Sequence, residues 1–150
     1  PLQHAFSLYS QHIKFVKDQS EDIFVQDYMK WTGHTEFGID YKMIHPSDLL
    51  YPDENEFNHW LEQWYLTYKS ALEFHDRQEE CYMIGYESLC DNPKVWYSIK
   101  DLLDISHEIK FLFKGVKKDI EETFDHELSD KCYRLYSSLV SKSFGRSMED

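Results

Sequence analysis

The sequence predicts an α/β domain that is mainly helical, with one clear parallel strand over residues 81–86. Three observations support this. First, Cys81-Tyr82-Met83-Ile84-Gly85-Tyr86 is a compact apolar run, rich in strand-formers and too short for a helix. Second, Asn92-Pro93 follows as a helix start: Asn caps, and Pro at the first helical position loses no hydrogen bond by lacking an N–H. Third, most of the remaining apolar residues recur at helical spacing. Ligands of open α/β sheets bind at the carboxyl ends of strands, so Tyr86 and Glu87 are the best-placed polar residues. The plainer alternative is that Tyr86 packs and Glu87 is a solvated turn residue.

Residues 2–16 read as a helix, because Leu2, Phe6, Tyr9, Ile13 and Val16 share a face. Ser7 lies near its start, where a hydroxyl and backbone N–H groups can hold an anion. Taken alone, it reads first as an ordinary helix serine. Ser20-Glu21-Asp22 signals a second helix over residues 23–31, stopped by Gly33.

Residues 32–52 are irregular and carry Gly33, Gly38, Pro46 and Pro52. Gly33-His34-Thr35-Glu36-Phe37-Gly38 sets a His and a carboxylate two apart between two glycines. A His can act as a general base and a carboxylate can orient it, so His34 and Glu36 are candidates for the substrate side. The alternative is a surface loop with incidental polar residues. Residues 56–78 are the strongest helix. Phe57, Trp60, Leu61, Trp64, Tyr68, Ala71, Leu72 and His75 form an apolar stripe, and Asn58, Glu62, Lys69, Glu73 and Asp76 a polar face.

The helix after Asn92-Pro93 carries Val95, Trp96, Ile99, Leu102 and Leu103 and ends near Asp104. Residues 110–118, Lys-Phe-Leu-Phe-Lys-Gly-Val-Lys-Lys, are the one dense basic patch. Gly115 there permits close approach of a ligand to backbone N–H groups, and Lys114 supplies charge. A solvated charge run beside a buried Phe would look the same. Leu128, Cys132, Leu135, Tyr136 and Leu139 mark a closing amphipathic helix.

The 150 residues suffice for one domain that buries roughly 70% of its extended surface. With 16 basic and 28 acidic residues the formal charge is −12. Nucleic-acid and anionic-membrane binding draw on clustered Lys and Arg, so both classes are disfavoured. An anionic ligand would need a local basic pocket. No apolar run approaches a membrane span and no signal peptide is visible. Cys81, Cys90 and Cys132 are odd in number and lack CxxC spacing, which suggests neither a disulfide framework nor a metal site. A reducing, cytoplasmic setting is the expectation.

Four separated pieces resemble one family. Tyr86-Glu87-Ser88-Leu89 with Asn92-Pro93 is similar to the Tyr-Glu-x-Leu…Pro signature of sulfotransferases, which ends a strand and begins a helix. Pro1, Ser7 and Tyr9 resemble the tail of their Arg-x-Pro/Ala…Ser motif, with the Arg falling two residues before Pro1. A long helix precedes the strand in both. Phe111-Leu112-Phe113-Lys114-Gly115 resembles their Phe-x-Arg-Lys-Gly segment, although Phe113 stands where that family has Arg. The interval from Leu103 to Phe111 is shorter than in the cytosolic enzymes, and no glycine-rich phosphate loop occurs in the 150 residues.

The resemblance implies a P-loop-like three-layer α/β fold, of which residues 1–150 form a C-terminal part in a single domain. It implies transfer of a sulfuryl group from 3′-phosphoadenosine 5′-phosphosulfate, the co-substrate, to a hydroxyl or amine of a small molecule or glycan, without a metal. Ser7, Lys114 and Gly115 would hold the 3′-phosphate and Tyr86 would lie beside the adenine. The catalytic residue is not assignable and is expected upstream of Pro1. Two other readings remain. One is a non-catalytic helical interaction module using aromatic surface near Trp60 and Trp64. The other is a relative of nucleotide kinases, which needs an upstream phosphate loop. The acceptor and the oligomeric state stay open.

Overall fold

The computed structural model describes residues 1–47, 49–78, 81–106 and 119–144. Among them it contains six helices and no strand: α1 (Leu2–Glu21), α2 (Ile23–Trp31), α3 (Phe57–His75), α4 (Tyr86–Asp91), α5 (Pro93–Leu102) and α6 (His126–Ser141). The α/β expectation is therefore overturned, and the P-loop-like three-layer class with it. Residues 81–85 are irregular, and Tyr86, expected to end a strand, begins α4. The reason is pairing. A strand exists only through a ladder partner, and no other described segment runs as a strand beside this one. The Met83 carbonyl instead accepts the Phe144 N–H at 2.7 Å, just past α6, and Tyr82 meets the Phe144 ring edge-on at 5.6 Å.

The helix starts follow local chemistry. Asn92 caps α5 by accepting the Lys94 N–H at 3.0 Å, with Pro93 at the first position, as the sequence led us to expect. Asp125 caps α6 through the N–H groups of Glu127 and Leu128. Helix α1 runs five residues beyond the predicted end at Val16, to Glu21. The signal at Ser20-Glu21-Asp22 is in fact Asp22 alone, which ends α1 and caps α2 through the Phe24 N–H at 2.9 Å.

Helix α3 is the centre: α1 packs on one side of it and α6 on the other, with α2 against α1 and α4 against α5. Ala5, Phe57, Leu61, Trp64, Leu128 and Cys132 make the shared core. Leu61 and Cys132 are fully buried, and a leucine so placed contributes about 1.5–3 kcal/mol.

The polar face of α3 is not solvated over its first half. His59, Glu62 and Gln63 are buried because residues 32–47 and 49–56 wrap around the helix. Each clamps that segment. Glu62 accepts the N–H groups of Leu50 and Tyr51 at 3.0 and 2.9 Å. Gln63 accepts the His45 N–H at 3.2 Å and donates to the His45 carbonyl at 2.9 Å. A segment without regular structure must satisfy its backbone somewhere, and here α3 side chains do it. No helix among the described residues is long and apolar enough to cross a membrane.

Candidate functional site

The wrapped segment and the helix pair α1–α3 enclose a pocket of about 590 Å³. Its walls are aromatic: Phe37 and Tyr41 from the wrapped segment, Trp60, Trp64 and Tyr68 from α3. The spacing 60, 64, 68 puts the three α3 rings on one stripe. Phe37 stacks on Trp60 at 5.5 Å, Tyr41 tilts against Trp60 at 5.0 Å, and Trp64 lies 4.6 Å from Tyr68. The Trp60 indole N–H donates to the Glu54 carbonyl at 2.8 Å, fixing that ring. Trp60 and Trp64 are each only 4% exposed, so they are pocket wall and core and present no surface to a partner.

The polar groups of the pocket are few. His4 comes from α1, with its ring edge-on to Tyr68 and Nδ1 3.4 Å from the Tyr68 hydroxyl. Glu36 and Lys42 come from the wrapped segment, and Lys42 makes no ion pair among the described residues. The Glu36 carboxyl is held below its usual range, chiefly by the backbone N–H groups of Glu36 and Thr35 and then by the adjacent His34. It stays ionised and cannot serve as a proton donor near neutral pH. An apolar chamber with a few convergent polar groups is the usual form of a small-molecule site.

Besides Glu62, four side-chain acceptors pin the wrapped segment in place. His12 Nδ1 accepts the Gly38 N–H at 3.2 Å and Gln19 Oε1 accepts the Ile39 N–H at 2.9 Å, both from α1. From α3, Gln63 holds His45, and His59 holds Tyr41 at 3.0 Å. The His59 tautomer follows from its partners. Nδ1 lies 2.8 Å from the Tyr51 carbonyl, which can only accept, so Nδ1 carries the proton and Nε2 accepts from the Tyr41 hydroxyl. Burial, reinforced by Glu54, pushes the Tyr41 phenol up to about 12, which keeps that hydroxyl protonated.

The predicted site residues divide. Glu36 lines the pocket. His34 approaches it, with Nδ1 3.4 Å from Glu36 Oε2, but its ring packs against Phe15 and Phe37 and does not line the chamber. Ser7 stands in the second turn of α1. Helical hydrogen bonding begins at Ala5, whose N–H donates to the Pro1 carbonyl, so Ser7 offers its hydroxyl and not a helix-end N–H. Tyr86 is half-exposed at the first position of α4. Its neighbour Glu87 is close enough to act electrostatically on two pocket residues. Burial lowers His4 and raises Tyr68, and the Glu87 charge opposes the first shift and adds to the second. Lys114 and Gly115, with the basic stretch around them, lie outside the described residues.

Sequence reading missed His12, Gln19, His59 and Gln63. The available signal was their position: each is a polar residue close to an apolar helical stripe, facing a segment rich in Gly and Pro. Searches against family models, curated proteins and solved structures return no match for this chain.

Proposed function

We propose that this chain carries the acceptor pocket and the 3′-phosphate end of the donor site of a sulfotransferase. The donor is 3′-phosphoadenosine 5′-phosphosulfate, and the acceptor is a hydroxyl or amine of a small molecule or glycan seated in the aromatic chamber. The supporting observation is electrostatic: Glu87, in the Tyr86-Glu87 segment that resembles that family, acts on His4 and Tyr68, two residues that line the pocket.

In this reading the Ser7 hydroxyl donates to the 3′-phosphate, Lys114 and the Gly115 backbone close over it, and Tyr86 lies beside the adenine. Glu36 lies on the acceptor side, with His34 behind it. Ionised Glu36 can accept a hydrogen bond from an acceptor hydroxyl or ammonium. Sulfuryl transfer by in-line attack needs positioning and electrostatic stabilisation of the equatorial oxygens, as phosphoryl transfer does. The reading rests on site residues and not on the fold, which is helical among the described residues. A reducing, cytoplasmic setting accords with three free cysteines.

The test is calorimetric titration with adenosine 3′,5′-bisphosphate and with adenosine 5′-monophosphate. The bisphosphate should bind at least about tenfold tighter, since a second phosphate gains charge-assisted hydrogen bonds. Lys114→Ala should erase that preference while leaving monophosphate binding nearly unchanged. Equal losses for both nucleotides would overturn the assignment.

One observation favours a second reading, a non-catalytic helical interaction module. Helix α2 exposes Ile23, Phe24, Tyr28 and Trp31, at 69, 72, 52 and 82%, and Phe24, Tyr28 and Trp31 lean on one another. Self-association through that face would appear as a concentration-dependent mass in sedimentation, abolished in Phe24→Ser/Trp31→Ser.

A further inference from the structure

We propose that His12 is an acid-sensitive latch on the pocket: while neutral it holds the wall segment 33–42 shut, and on protonation it releases it. The proposal concerns regulation of the same pocket and rests on reading that pocket as the ligand site.

The chemistry of the bond carries the argument. The partner of His12 Nδ1 is the backbone N–H of Gly38, at 3.2 Å. A backbone N–H only donates, so Nδ1 must be unprotonated and the ring proton must sit on Nε2. A second proton has to enter at Nδ1, facing another donor. The bond cannot survive it. His59, the other buried histidine on this wall, behaves differently. Its partner is the Tyr41 hydroxyl, which can turn from donor to acceptor and keep the contact. His12 is therefore the group whose protonation must release the segment.

The surroundings favour this outcome. His12 is 1% exposed and its Nε2 has no hydrogen-bond partner among the described residues, so these offer a charged ring nothing to donate to. The wrapped segment presents Tyr41 and Glu54 to it, and α3 presents His59 and Trp60. Burial pushes His12 below its ordinary 6.5, the Glu54 charge opposes this, and His59 adds to it. An imidazolium there is relieved only by water, which enters if the segment swings out. What swings is pocket wall: Thr35, Glu36, Phe37, Tyr41 and Lys42 all lie on it. Gln19, which holds the adjacent Ile39 N–H, does not titrate, so that bond opens only because the segment moves as a unit once His12 lets go.

The experiment is amide hydrogen exchange by NMR across about pH 7.5 to 5, with the His12 ring nitrogens followed in the same samples. The protection factors of Gly38 and Ile39 should fall at least about tenfold as His12 titrates, while those of Leu61 and Cys132 in the core hold. His12→Asn, whose Oδ1 can take the acceptor's place without titrating, should abolish that fall. Protection at Gly38 that persists after His12 is protonated overturns the proposal. So does simultaneous loss at Gly38 and Leu61, which is general unfolding. Both results are read in the wild-type chain, so they stand even if the variant does not fold. No ligand enters the readout. A segment that opens with His12 in a chain that binds no nucleotide supports the latch and counts against the functional reading alone.

Discussion

Gly38 lies directly on the side-chain oxygen of Gln19. A β-carbon built on Gly38 would collide with Gln19 Oε1, the atom that accepts the Ile39 N–H. Gly38 also sits at φ +88°, a region that L side chains resist. Gly33, five residues earlier at φ +68°, has open space where its β-carbon would go. Gly38→Ala should cost about 2–4 kcal/mol, combining backbone strain with a displaced buried amide, and Gly33→Ala about 1 kcal/mol. Urea unfolding of the two variants checks this. Equal costs would mean that the wrapped segment is not held as described.

Glu62 is the second test of that segment. Its two oxygens accept two backbone N–H groups, and it is 6% exposed. Glu62→Gln turns one acceptor into a donor facing an N–H. The expected loss is about 1–3 kcal/mol in urea unfolding. A neutral result would show that water, not Glu62, satisfies Leu50 and Tyr51.

What the sequence revealed and what it hid both follow from physical range. Helical spacing is local, so α2, α3, α5 and α6 were legible, as was the Asn92-Pro93 start. The strand at 81–86 was not a local matter. Its apolar run suits a strand, but a strand needs a partner, and composition cannot supply one. Glu62 falls on the polar face of α3, and a helical wheel contains no wrapped segment to show that it is covered. His12 and Gln19 were invisible for the same reason: their partners lie 26 and 20 residues away in a stretch with no periodicity. Glu36 was found because a His–carboxylate pair between glycines is a local pattern. Its neighbour His34 joined it at 3.4 Å but turned toward Phe15, which only packing decides.

Thiol reactivity should separate the cysteines. Cys132 is fully buried in the α3–α6 core, its Sγ 3.7 Å from the Leu61 carbonyl, and burial pushes its thiol up to about 11. Cys81 and Cys90 are only half-buried. With an aromatic disulfide reagent near pH 8, two thiols should react promptly and the third only in denaturant, because the thiolate is the nucleophile. Three equal rates would mean that Cys132 is not buried between α6 and α3.

The pH dependence of stability has a worked sign at Asp125. A hydrogen bond from Tyr51, at 2.5 Å, is the main cause that holds its carboxyl below 3.8, followed by the α6 N–H groups. A carboxyl lowered on folding stabilises the native state above its unfolded value, and the effect disappears as pH falls through the folded one. Asp125→Asn should therefore melt below wild type at neutral pH, and the two curves should converge by about pH 2. A gap of constant size at all pH values would assign the effect to packing.

The proposed function requires that one end of the aromatic pocket take a nucleotide bearing a 3′-phosphate. Its most direct measurement is a backbone NMR titration of the chain with adenosine 3′,5′-bisphosphate. Saturable shifts are expected at His4, Ser7, Tyr68, Tyr86 and Glu87, with α2 unmoved. Absence of saturable shifts at those residues, or shifts confined to α2, would contradict it.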